Sequence, residues 1–268
     1  MPGEPNQSRS SSGEETPGDQ LLTRGPQIIA ISIGDAAEAW TAAGFTVDKD
    51  GSCRISSVEI RLDVAGTSAD DKSATGQGGD GGFRSWSFAG IDASVTDIDG
   101  LRVSHVDVAN TDHTAHPNGV TSLDHIVINS GNPERTVAAL EAAGFPLRGR
   151  RRATNLKVPM VQYFFWAGDV ILELIGPSDS GPGNSRLGNS GPSESATQSD
   201  EPSPQSDEPS SIFGLALVSP DLKETSDFLG DLASDPRPAV QKGRRITTLR
   251  TRDLGISLPI AVMSPHPS

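Results

Sequence analysis

The chain has 268 residues and a formal net charge of −13, with 34% hydrophobic residues and a single cysteine, Cys53. An acidic balance argues against a nucleic-acid binder, which needs a basic surface, and a lone cysteine rules out an internal disulfide and fits a reducing compartment. No apolar run approaches the ~20 residues of a membrane span, and the N-terminus lacks a basic stretch followed by an apolar one. The expectation is a soluble, cytoplasmic protein.

Nine of the thirteen excess negative charges fall in three segments: the tail 1–26, the Gly/Ser/Asp-rich insert 65–82 and the Ser/Pro/Glu/Asp/Gly-rich linker 177–210. Each holds too few large apolar residues to offset the entropy of ordering, so all three are expected to be disordered. The linker is long for a loop within a compact domain and reads as a join between separately formed units.

In chain order, 27–33 reads as a strand. Asp35 can cap a short helix over 36–43, and short strands follow in 45–64. Residues 83–90, Phe-Arg-Ser-Trp-Ser-Phe-Ala-Gly, form a further strand with no assigned unit, and Asp97-Ile98-Asp99-Gly100 is turn-like. His116-Pro117-Asn118-Gly119 reads as a tight connection. The strand 123–128, Leu-Asp-His-Ile-Val-Ile, opens the next unit. Asn132-Pro133-Glu134 supplies an N-cap, a first-turn proline and an acidic residue. Strands then fall at 146–152, 160–166 and 169–175, the last two joined through Ala167-Gly168. The third stretch repeats this grammar: strand 212–218, the helix start Ser219-Pro220-Asp221, Phe228 and Leu229 facing the core, and strands at 238–242, 244–250 and 257–263. Ala-Ala-Gly-Phe occurs at 42–45 and again at 142–145, each time between a helix and a strand, which supports an internal repeat.

A β-α-β-β-β unit that opens on Leu-Asp-His-Ile-Val-Ile (123–128) and closes on Val-Ile-Leu-Glu-Leu (170–174) resembles a module of the vicinal oxygen chelate superfamily, whose members include glyoxalases, extradiol dioxygenases, epimerases and drug-binding resistance proteins. The resemblance implies an α+β fold of repeated modules forming a cupped mixed sheet, with helices on its outer face. It implies a degenerate N-terminal module in 27–110 and a glyoxalase-like domain in 116–265, the latter built from paired modules 123–176 and 211–264. It also implies metal ligands on first and last strands, so His125 and Glu173 become candidate metal ligands and candidate catalytic residues. An imidazole with a carboxylate suits one divalent Zn, Ni, Fe or Mn, in a metal-dependent lyase, isomerase or dioxygenase. The same alignment puts Gly214 and Ala261 at the third unit's ligand positions, and Ile28 and Arg61 at the first unit's, leaving two of the usual ligands. His113 and His116 are the remaining histidines near the middle unit.

Two readings therefore stand: a protein that binds and converts a small anionic metabolite, with His125 and Glu173 as partial metal site or acid–base pair, or a metal-free binding protein without catalysis. Gln162, Phe164 and Trp166 share one strand face, either lining the cup or packing beneath a helix. The basic run Arg148, Arg150, Arg151, Arg152 and Lys157 has a counterpart, Lys242, Arg244, Arg245 and Arg250, in the matching part of the third unit. Arg150 and Arg245, the latter placed near Gln162, are the candidate anion contacts; the other reading is charge protecting an edge strand. The expected partner is a small molecule, with a homodimer as a further assembly to test. Cys53 has no neighbouring histidine and is expected to be inert.

Overall fold

The computed structural model describes residues 24–63, 82–106, 114–153, 159–178 and 206–267. Most of the tail, insert and linker, together with His113 and Lys157, lies outside these residues, so the disorder expected there does too.

Strands β1 (Gln27–Ala36), β2 (Ser52–Ile55), β3 (Val58–Asp63) and β4 (Phe83–Ala89) form one sheet in the order β2-β3-β1-β4, with helix α1 (Ala37–Ala42) after β1 and a small hairpin, β5 (Asp97–Ile98) and β6 (Leu101–Arg102), beside it. A larger sheet holds β7 (Ser122–Asn129), β8 (Leu147–Ala153), β9 (Met160–Ala167), β10 (Val170–Pro177), β11 (Ser211–Val218), β12 (Arg237–Pro238), β13 (Arg245–Thr248) and β14 (Ile260–Met263). Its order is β12-β13-β14-β11-β7-β10-β9-β8. Helix α2 (Pro133–Ala142) follows β7, α3 (Leu222–Leu229) follows β11, and the short α4 (Thr251–Leu254) precedes β14.

The larger sheet is two β-α-β-β-β modules back to back. In each, the first and last strands are parallel (β7 with β10, β11 with β14), and the two first strands meet antiparallel. Matching hydrogen bonds fix the correspondence: Ser130 N–H donates to Ile175 O and Ser219 N–H to Met263 O, both at 3.0 Å. The Thr136 and Thr225 hydroxyls share hydrogen bonds with the hydroxyls of those same serines at 2.7 and 2.8 Å. By this count Gly214 stands where His125 does, and Ala261 stands where Glu173 does.

Burial alternates along β9 and β10. Val161, Tyr163, Phe165, Val170, Leu172 and Leu174 are buried, while Gln162, Phe164, Trp166, Ile171 and Glu173 are half-buried on the opposite face. Period two thus sends one set into the core shared with the helices and the other into the concave face.

The unassigned strand 83–90 finds its place here as β4, antiparallel to β1 on the side away from β3, as β11 lies beside β7. The bridge between Trp86 and Val103 is parallel, as a last strand is to a first. The two Ala-Ala-Gly-Phe copies form the same helix stop. Gly44 and Gly144 have φ of 78° and 94°, and the Phe45 and Phe145 N–H groups reach back to Trp40 O and Leu140 O.

Several local expectations are corrected. Asp35 does not cap α1; β1 runs through Ala36, and the Asp35 carboxylate accepts from the Trp40 indole and from Ser257 N–H. In the third module Asp221, not Ser219, caps the helix, accepting from Glu224 N–H. Phe228 is 52% exposed rather than in the core. Strand pairing over 238–242 ends at Pro238, and 257–263 pairs only from Ile260. Residues 206–210, expected in the disordered linker, are instead held: Ser210 Oγ donates to Asp99 at 2.6 Å, and Arg135 donates to Glu208 O at 2.5 Å. The first sheet packs beside the modules, Phe88 meeting Phe145 edge-on at 5.0 Å, and one hydrophobic core runs through both.

Candidate functional site

The concave face encloses a cavity of about 330 Å³, near the lower end of small-ligand pockets. β7 contributes His125, β9 contributes Gln162 and Phe164, β10 contributes Glu173 and β8 contributes Arg151. Phe213, Ile246, Thr248 and Met263 close it from the third module.

Along β7 the pairing with β11 slips by one residue at Asp124: Leu123 faces Leu217 and His125 faces Ala216. This β-bulge re-aims the side chains. The Asp124 carboxylate comes to 2.7 Å from His125 Nδ1, while Nε2 turns into the cup, 3.5 Å from Glu173 Oε2. Gln162 steadies the other oxygen of Glu173, its amide donating at 2.6 Å. Asp124 itself is gripped by Arg244, with Nη2 donating to Oδ1 at 2.9 Å and Nη1 to Oδ2 at 3.2 Å. Burial alone would raise the Asp124 pKa. The hydrogen bonds from His125 and Arg244 and the Arg244 charge outweigh it and hold the carboxyl at about 2.

The other sequence candidates separate. Trp166 shares the face of Gln162 and Phe164 but sits at the strand end. There it lines a neighbouring cavity of about 340 Å³, together with Asp124, Arg244 and His266. Arg150 does not face the cup: its register partner is Tyr163, so it lies on the helix side, stacked 5.1 Å over that ring and 3.7 Å from Glu134. Arg151, one residue on, faces Gln162 and lines the cup. Arg245 is also turned away. It donates to Pro236 O at 2.5 Å, while Ile246, opposite Met263, takes the position equivalent to Gln162. His116 is buried and ties Thr46 N–H to Arg54 O, far from this chemistry. Cys53 is fully buried and its thiol is pushed up to about 12 by desolvation, as befits an inert residue.

Sequence reasoning missed Asp124, Arg244, Arg151 and Phe213. The first stands next to His125, but a strand's alternation places neighbours on opposite faces, and only the bulge overrides that. Arg151 and Arg244 appeared only as members of basic runs.

The donor set can be tested against a metal. Two donors at 2.1 Å from a tetrahedral ion lie about 3.4 Å apart, so the 3.5 Å between His125 Nε2 and Glu173 Oε2 suits two ligands of one ion. A stable centre needs three or four. The sister positions Gly214 and Ala261 offer no donor, and among the described residues no cluster of three or more His, Cys, Asp or Glu side chains forms. Gly214 is closed to any replacement: a Cβ there would fall 2.6 Å from Pro259 O. These residues do not fit the metal of the cupped-sheet enzymes.

Paired β-α-β-β-β modules around a cup, flanked by an abbreviated second sheet, define the architecture. The sequence matches no protein-family model and no curated protein. Among solved structures, a triple mutant of 4-hydroxymandelate synthase from Streptomyces coelicolor is 14% identical. It covers 90% of this chain and 93% of its own, with a TM-score of 0.57. A fusion of a xylose isomerase-like TIM barrel with 4-hydroxyphenylpyruvate dioxygenase is 10% identical, covering 89% of this chain and 49% of its own at a TM-score of 0.54. The chain has the vicinal oxygen chelate fold. No helix among the described residues is long and apolar enough to cross a membrane.

Proposed function

We propose that the cup binds a small organic acid and that His125 moves a proton on it without a metal, with Glu173 as its partner. The observation carrying this reading is the Asp124–His125–Glu173 arrangement. An ionised Asp124 accepts the Nδ1 proton, which leaves the Nε2 lone pair facing the cavity as a general base. Glu173, held by Gln162, would stabilise the imidazolium that forms. Among the described residues lining the cup, Arg151 is the cation available for a carboxylate, and Phe164, Phe213, Ile246 and Met263 offer an apolar bed for the rest of the molecule.

The test is proton–deuterium exchange in D2O. Small carboxylates with a C–H beside a carbonyl would be followed by NMR with the chelator-treated protein. A positioned base contributes about 10²- to 10⁴-fold, so His125→Ala and Glu173→Gln should each remove most of the exchange. Exchange that disappears on chelation and returns with added metal would overturn the metal-free reading.

A second reading, a binding protein without catalysis, draws support from the empty ligand positions Gly214 and Ala261. Binding of such carboxylates without exchange, weakened by Arg151→Ala, is its expected signature.

A further inference from the structure

We infer that Arg244 is a positioning residue for His125: delivered from the third module, it locks the Asp124 carboxylate, which in turn fixes the imidazole with its proton on Nδ1 and its Nε2 open to the cup. This rests on the acid–base reading of the cup.

Arg244 is 2% exposed, and a buried guanidinium is tolerated only when its N–H groups are paired. Its Nε donates to Ser264 O at 2.7 Å, and Nη1 donates to Gln241 at 2.6 Å and lies 3.1 Å from His266 Nε2. The remaining capacity goes as a fork to both oxygens of Asp124, the geometry that fixes a carboxylate's plane as well as its place. Ser264 O, on the chain leaving β14, and the Gln241 amide hold the guanidinium from behind.

An ionised carboxylate can only accept. With Asp124 Oδ2 at 2.7 Å, Nδ1 must carry the hydrogen, and the ring is a base only through Nε2. The charged groups around the imidazole are Asp124 on its own strand, Glu173 from β10 and, across the cup, Arg151 from β8; Arg244 and His266 reach it through Asp124. Asp124 and Arg244 line the neighbouring cavity and not the cup, so neither is placed to touch a ligand held there. The repeat does not require the arrangement, because the sister of the Asp124–His125 pair is Phe213–Gly214.

A cross-module staple alone would raise stability and leave the tautomer to chance. The two roles separate in the ring nitrogens of full-length protein labelled with ¹⁵N-histidine, read by long-range ¹H–¹⁵N NMR without ligand. The native protein should show His125 with a protonated Nδ1 and, whenever the ring is neutral, a bare Nε2. Asp124→Asn should abolish that pattern, since its amide can donate to the ring. Arg244→Gln should give a mixture of tautomers while far-UV dichroism and core methyl signals stay native. Should Arg244→Gln fail to fold, Arg244→Lys keeps the charge, loses the fork and should show the same mixture. An undisturbed Nδ1–H pattern in the folded Arg244 variant overturns the proposal. Because no substrate is present, the result is independent of whether the cup moves a proton at all. Absent exchange with an intact Nδ1–H pattern would count against the catalytic reading alone.

Discussion

The cavity wall at Gly214 has a different standing from an ordinary lost ligand. Pro259 O accepts from Leu215 N–H at 3.0 Å and occupies the space into which a side chain at 214 would grow. Gly214→His should therefore be destabilising by about 1–3 kcal/mol, the usual cost of overpacking, and should not bring in a metal. Urea unfolding and metal analysis of the purified variant would check both. Asp124 carries the pH dependence of this corner. Its folded pKa, about 2, lies below its ordinary 3.8, so its stabilisation is present above about pH 4 and is lost as pH falls toward 2. The two values imply about 2 kcal/mol. The unfolding free energy should fall between pH 5 and pH 2.5 by most of that amount more in the native protein than in Asp124→Asn. That His125 and Glu173 are candidates was legible in the sequence because polar residues inside apolar strands stand out, and the fold brings the two together. Their support was not: the Asp124 contact comes from a one-residue slip between strands, and Arg244 arrives from more than a hundred residues away.

Among the elements, helix α2 was the plainest to read. Asn132 accepts from Arg135 N–H at 3.1 Å and Pro133 begins the helix, as the residue order predicted. Asn132→Ala should cost about 1 kcal/mol, seen as a lowered thermal midpoint. The start of α3 was misread because Ser219-Pro220-Asp221 offers two cap residues. Ser219 is occupied elsewhere, its hydroxyl bonded to that of Thr225 and its N–H donating to Met263 O, so the cap passes to Asp221. The misplacement of Arg150 and Arg245 has one cause. Alternation predicts which residues share a face, but which face is inward depends on register, and that is set by partners far along the chain. β8 shows this directly, since its pairing shifts between Leu147 and Gly149 and turns Arg151 inward in place of Arg150.

At the scale of the whole molecule, the ties between parts are polar as well as apolar. Asp99 gathers Arg135 Nε at 2.6 Å, Thr136 Oγ1 at 2.5 Å and Ser210 Oγ at 2.6 Å, joining the β5–β6 turn, α2 and the approach to β11. Asp35 likewise joins the first sheet to the loop at Ser257. The module grammar of the larger sheet was visible because each module repeats its caps and turns. The first sheet was harder to read, since among the described residues β4, a short hairpin and a bridge are all that stand beside β1 in place of a second module, too little for a repeat to show.

The seam between β7 and β11 has one more consequence. Every covalent link between the two modules runs through the stretch from Ser178 to Ser206, yet the strands on either side are zipped together by backbone pairing, by the Asp99 knot and by the Arg244–Asp124 fork. The protein should therefore tolerate being made as two polypeptides, 1–178 and 206–268, which find each other when co-expressed and purify as a pair through a tag on one. The imidazole would then sit on one chain and the residue that orients it on the other, so that the proposed catalyst exists only in the reassembled heterodimer. Failure of the two pieces to co-purify would show that the seam depends on its tether.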